Sequence, residues 1–140
     1  AQSTCALHAG WRGVACNIIQ ASAEVLAGPP QMAFLGPHIR GSSFQVDMDV
    51  AQQILSAKPV QSRDEEFIIG PRGTQKLHLD LTKLATAQLQ HAFGNIPVHD
   101  TACDTKTNGD FHSYRRDGIQ AGRQLSFVVL KDPKTDSIRL

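Results

Sequence analysis

The sequence has no apolar run long enough to cross a bilayer, no internal repeat, no low-complexity tract and no like-charged block longer than Asp64-Glu65-Glu66. The first absence leaves no candidate transmembrane helix. The last leaves no polybasic surface: 14 basic and 13 acidic residues give a net charge of +1, so neither nucleic acid nor a membrane is expected as a partner. Cysteine is scarce, and Cys5, Cys16 and Cys103 form no C-x-x-C pair. An odd, sparse set points to reduced thiols in a reducing, cytoplasmic compartment and away from a disulfide framework. Ala1 to Leu7 lack the charged start and apolar middle of a signal peptide. They read as a strand already under way, so further sequence is expected upstream. No histidine pair has H-x-H or H-x-x-x-H spacing, which speaks against a metal site built wholly from local sequence. What is present fits one soluble globular domain: 140 residues, 41% hydrophobic and 19% charged.

Apolar periodicity and punctuation supply the elements. Residues 3–8 are predicted as a short buried strand ending in His8, followed by a tight Ala9-Gly10 turn and a helix from about Arg12 to Ala27. Val14, Ile18, Ile19 and Val25 give that helix its apolar spacing, and Cys16 falls on the core side. Met32 to Leu35 reads as a buried strand and Phe44-Gln45-Val46 as another. Asp47 or Asp49 is suited to cap a helix carrying Val50, Ile54 and Leu55. Residues 58–75, with Pro59, Gly70, Pro71 and Gly73, read as a surface excursion around a short Phe67-Ile68-Ile69 strand. Lys76 to Leu79 is a strand, Asp80 caps a helix carrying Leu81, Leu84, Ala85, Leu89 and Phe93, and Gly94 stops it. Ile96 to His99 and the apolar Gln124 to Leu130 complete the strands. Alternating strands and helices imply an α/β or α+β sheet packed under helices.

Two clusters carry chemistry. In His8-Ala9-Gly10-Trp11-Arg12-Gly13 the histidine leaves a strand, glycines let a ligand approach the backbone, and Arg12 at a helix start favours an anion. Such an imidazole suits a zinc ion or acid–base work, or it is simply a satisfied, partly buried histidine. In Phe111-His112-Ser113-Tyr114-Arg115-Arg116-Asp117-Gly118, adjacent arginines are suited to hold a phosphate or carboxylate, or to tie a loop to the body of the domain. Cys103 stands in a loop with Asp100, Asp104 and Lys106. A thiolate there could be a nucleophile or metal ligand, against the plainer reading of a small apolar plug. Cys5 alternates away from His8, so the two do not form a metal pair. His78 falls in a strand, His91 on a helix and His99 at a strand end.

In order, H-A-G-W-R-G, L-G-P-x-I-x-G with an F-x-V strand, an L-x-L-D-L helix, a lone cysteine and F-x-S-Y-R-R-D-G resemble the YfiH-like or laccase-domain family from His8 to Leu130. The resemblance implies an α+β fold of mixed β-sheets sandwiched by helices. Residues 1–140 would be the C-terminal portion of a single family domain, with the N-terminal part of the fold missing. It also implies a zinc-dependent enzyme that phosphorolyses adenosine, inosine and methylthioadenosine and deaminates adenosine. Its partners are a small-molecule nucleoside and phosphate. The family's metal is held by two histidines and one cysteine. His8 matches the last of these ligands, and the motifs carrying the other two lie upstream in the family and are absent here. An N-terminal segment or a partner chain is therefore expected to complete the site. His38 and Arg40 stand where the family prefers small residues, which bears on substrate preference, and His112 replaces a frequent second phenylalanine.

The favoured function is thus a zinc-dependent purine nucleoside phosphorylase and adenosine deaminase in the intact protein. His8 is the expected metal ligand, with Arg12, Arg115, Arg116 and Cys103 as candidate catalytic residues. Whether this chain alone is an enzyme stays open. The alternatives are a non-catalytic fragment or interaction domain, a copper-dependent polyphenol oxidase (the older naming), and a Cys–His hydrolase such as a peptidoglycan editing factor using Cys103.

Overall fold

The computed structural model describes residues 3–71 and 75–130. Its longest helix, α4 (Leu81–Phe93), organises the rest. It starts where the Asp80 carboxylate accepts the Lys83 N–H at 3.1 Å, and it ends at Gly94, whose φ of 77° ends the helix in a conformation disfavoured for side chains with a Cβ. Leu84 faces a core with Phe44, Val46, Ile54, Phe67, Leu77 and Leu79, while Ala85 and Leu89 turn toward Ile19, Leu35 and Val98. One helix therefore joins two apolar clusters.

The larger cluster lies beneath a three-stranded antiparallel sheet ordered β2 (Gln45–Asp47), β4 (Lys76–Leu79), β3 (Ile68–Ile69). Strand period two sends Val46, Leu77 and Leu79 into the core and Gln45, Asp47 and Lys76 outward. Helix α3 (Met48–Leu55) follows β2 directly and buries Ala51, Ile54 and Leu55. A second, two-stranded sheet pairs β1 (Ala33–Leu35) in parallel with β5 (Val98–Asp100), Phe34 lying opposite His99. The architecture is α+β with both kinds of pairing, as the sequence implies. Among the described residues no helix is long and apolar enough to cross a membrane.

The first predicted helix is broken. Helix α1 (Trp11–Ala15) and α2 (Ile18–Ser22) are separated by Asn17 at φ 55°, a left-handed conformation that asparagine tolerates better than most residues. The break shifts the helical phase, so Cys16 is exposed and does not join the core as expected. Residues 3–8 form no strand and are exposed, because nothing among the described residues pairs with them. Residues 124–130 likewise lie outside any regular element, leaving Leu125 87% and Phe127 79% exposed. Among the described residues their apolar pattern has no neighbouring strand to add to. Helix α3 begins at Asp47 without a side-chain cap, and Asp49 sits in its first turn. The surface excursion at 58–75 contains a short 3-10 turn, Asp64–Glu66, before β3; its residues 72–74 lie outside the described ones.

Candidate active site

Glycine shapes the first motif. A Cβ on Gly10 would stand 3.1 Å from His8 Nε2, and one on Gly13 would stand 3.1 Å from the His8 carbonyl. The chain thus closes over His8 from two sides, leaving the histidine exposed at the surface. Trp11 begins α1 and packs its ring half-buried against the larger core. The Arg12 guanidinium lies 4.3 Å over the Trp11 ring, a cation–π pair.

The second motif forms the short helix α5 (Tyr114–Asp117), and its arginines part company. Arg116 makes a fork with Asp117, both contacts at 2.8 Å, and threads its other donors into the carbonyls of Thr105, Asn108 and Phe111 at 2.8–3.1 Å. Those hydrogen bonds and the Arg116 charge hold the Asp117 carboxyl below its ordinary range and keep the guanidinium firmly charged. Arg115 leaves on the opposite side. It donates to the Gln45 carbonyl and its guanidinium stands 5.3 Å from the Phe44 ring centroid.

Those placements open a cleft of about 230 Å³ between the two motifs, walled by Trp11 and Arg115 and floored by Gln45, Asp47, Val50 and Lys76. Asp47 and Lys76 face each other across the β2–β4 ladder, 3.7 Å apart and largely exposed. An aromatic side chain, two cations and a carboxylate suit a flat, polar, anionic ligand set. From the sequence Asp47 is offered only as a helix cap and Lys76 only as the start of a strand, neither as a ligand-binding residue. Alternation in two strands could have found them, once the antiparallel register was known.

The remaining candidates gather elsewhere. The segment 100–106 runs alongside the 36–43 loop, with the His38 N–H donating to the Cys103 carbonyl at 3.3 Å and the Thr105 N–H donating to the His38 carbonyl at 3.1 Å. Arg40 pairs with Asp100 at 2.6 Å, and Asp104 accepts from the Ser43 hydroxyl at 2.5 Å and from the Lys106 N–H at 3.0 Å. Burial would raise both carboxyls. For Asp100 the Ala102 N–H and Arg40 outweigh it, and for Asp104 Ser43 and the Lys106 and Arg40 N–H groups do, so both stay below the ordinary value. A Cys–His pair is not formed among the described residues. His38 spends Nδ1 on the Gly36 carbonyl at 2.7 Å and Nε2 on Thr82 Oγ1 at 2.8 Å, His99 stacks on Phe34 at 5.0 Å, and the Cys103 thiol donates to Thr101 O at 3.4 Å.

Zinc needs three or four donors around one point. Among the described residues no three His, Cys, Asp or Glu side chains converge in that way. His8 offers one imidazole, which by itself does not fit a retained metal ion.

A family model described as multi-copper polyphenol oxidoreductase laccase matches residues 1–131, and the chain belongs to that family. A protein of Deinococcus radiodurans named purine nucleoside phosphorylase is 34% identical over 131 residues, covering 89% of this chain and 48% of its own length. The Escherichia coli K12 protein named purine nucleoside phosphorylase YfiH is 30% identical over 127 residues, covering 89% of this chain and 50% of its own. A solved Neisseria meningitidis protein superposes with a TM-score of 0.67 at 35% identity, over 79% of this chain and 45% of that one. The chain therefore spans about half the length of the curated relatives it matches.

Proposed function

We propose that this chain supplies one wall of the active site of a purine nucleoside phosphorylase acting on adenosine, inosine and methylthioadenosine. The observation that carries the reading is the cleft between the two motifs, where Trp11, Arg115, Lys76 and Asp47 share one opening. The names of the relatives point the same way. In this reading the purine lies against the Trp11 side chain where it lines the cleft, and its ribose hydroxyls donate to Asp47. Arg115 and Lys76 hold inorganic phosphate, the guanidinium by a two-pronged contact and the ammonium as a point charge. An oxygen of the phosphate attacks the anomeric carbon, the glycosidic C–N bond breaks with its electron pair on the purine, and the purine takes up a proton as it leaves. The two cations lessen the repulsion between phosphate and the departing base, and contact with Trp11 helps to fix the approach. Deamination of adenosine is the second activity proposed for the same opening.

His8 enters the reading as one donor of a zinc site whose other donors come from another segment or chain. When bound, zinc would polarise an attacking oxygen. Free Cys5, Cys16 and Cys103 suit a cytoplasmic protein.

The test is phosphate-dependent release of hypoxanthine from inosine by the purified protein, with Arg115→Ala beside it. The reading expects release only with phosphate present and a KM for phosphate raised about tenfold or more in the variant. Release that ignores phosphate, or a variant with unchanged KM, would count against it. His8→Ala addresses the zinc proposal separately: with the missing donors supplied, zinc retained through dialysis should fall from about one per site to near none.

A further inference from the structure

Arg115 does not hold its own place, because it is exposed and rests on groups that other residues fix. Two strands of linkage lead from it to a single carboxylate. In one direction, its acceptor Gln45 and its ring platform Phe44 follow Ser43, whose hydroxyl donates to Asp104 Oδ2 at 2.5 Å. In the other, Arg116 is threaded into the carbonyls of Thr105 and Asn108, and that loop is closed by the Lys106 N–H donating to Asp104 Oδ1 at 3.0 Å. The Arg40 N–H adds a third donor at 3.3 Å. Ser43, Thr105 and Ser113, which flank these links, are all buried. The mount of the arginine and the surface it rests on therefore meet at one residue.

We propose that Asp104 is a positioning residue that sets Arg115 in the cleft, by joining the loop that carries the arginine to the strand that receives it. The kinetic part of this proposal rests on the phosphorylase reading above; the geometric part does not. Removing the carboxylate leaves the Ser43 and Thr107 hydroxyls and two backbone N–H groups without their acceptor and frees the 105–111 loop to shift. Asparagine keeps both the shape and an acceptor oxygen, and Ser43 can turn to accept from its amide.

The experiment uses the whole chain with arginine labelled by nitrogen-15. The Arg115 Nε–H resonance is assigned by its disappearance in Arg115→Lys. In Asp104→Ala that resonance should move toward the position of free arginine, and KM for inorganic phosphate should rise about tenfold with kcat and the nucleoside KM within about twofold. Asp104→Asn should retain most of both properties. Leu89→Ala, destabilised from the second core cluster, is the control for mere loss of stability and should leave the resonance in place. If Asp104→Ala does not fold, Ser43→Ala removes one of the two links and carries the same expectation at smaller size. An unmoved Arg115 resonance in a folded Asp104→Ala, or an equal movement in Leu89→Ala, overturns the positioning role. A moved resonance with an unchanged phosphate KM upholds it and instead removes phosphate as the ligand of Arg115.

Discussion

Arg115 and Arg116 are chemically identical neighbours with opposite surroundings, and substitution should separate them. Arg116→Ala unpairs Asp117 and several loop carbonyls, so its Tm should fall clearly below that of the parent in a thermal scan. Arg115→Ala should melt with the parent; equal melting of the two variants would contradict the division. That consecutive residues face apart could be read from the sequence, but which arginine meets the cleft could not, since it depends on carbonyls contributed by a loop up to eleven residues away. For Arg12 the place at a helix start is legible, whereas its cation–π contact with the adjacent indole is a matter of side-chain geometry. Ala102 is another residue-scale case. It sits at φ 56° between Asp100 and Cys103. Glycine there should stabilise by up to about 1 kcal/mol, because relief of the left-handed strain exceeds the added freedom of the unfolded chain. Denaturant unfolding that places Ala102→Gly below the parent would refute the strain.

At the scale of elements, legibility followed whether a segment carries its own partner. Helix α4 was read nearly to the residue because its cap, apolar stripe and terminal glycine are all local. Leu84 is 1% exposed at its centre, so Leu84→Ala should cost about 2–5 kcal/mol in denaturant unfolding, through lost burial and the cavity left behind. A cost below about 1 kcal/mol would mean that the joint between the two clusters is not there. Gly41 is a second joint. A Cβ there would stand 2.3 Å from Ile69 Cδ1, which can turn aside, and 3.2 Å from the Asp80 Cα, which must give slightly, so Gly41→Ala should cost about 1 kcal/mol in denaturant unfolding. Residues 124–130 show the opposite case. Their apolar character is legible, but a strand is defined by its neighbour, and sequence periodicity does not name one. The α1–α2 break was equally hidden, because Asn17 is as compatible with a helix interior as with the left-handed turn it makes.

Across the whole molecule, the depressed carboxyls of Asp100, Asp104 and Asp117 set a pH dependence with a definite sign. A carboxyl whose folded value lies below its unfolded value of about 4 stabilises the fold fully above that value, and the contribution is lost as pH falls through the folded one. Stability should therefore be level from neutrality to about pH 5 and fall below about pH 4. In Asp104→Asn that acid fall should be shallower, by up to about one proton taken up on unfolding; an unchanged slope would deny Asp104 its share. The two motifs meet across one opening, and the phosphorylase proposal requires nucleoside and phosphate to bind there together. Trp11 is the single tryptophan of the chain and lines that opening, so its emission, excited at a wavelength that Tyr114 does not absorb, reports on it. The most direct measurement is a titration of that emission with inosine, at fixed phosphate, in the parent and in Arg115→Ala, and then with phosphate at fixed inosine. A saturable change is expected with both ligands in the parent, with the phosphate midpoint about tenfold weaker in the variant and the inosine midpoint little changed. Emission that responds to neither ligand, or phosphate midpoints that coincide in the two proteins, would contradict the proposal.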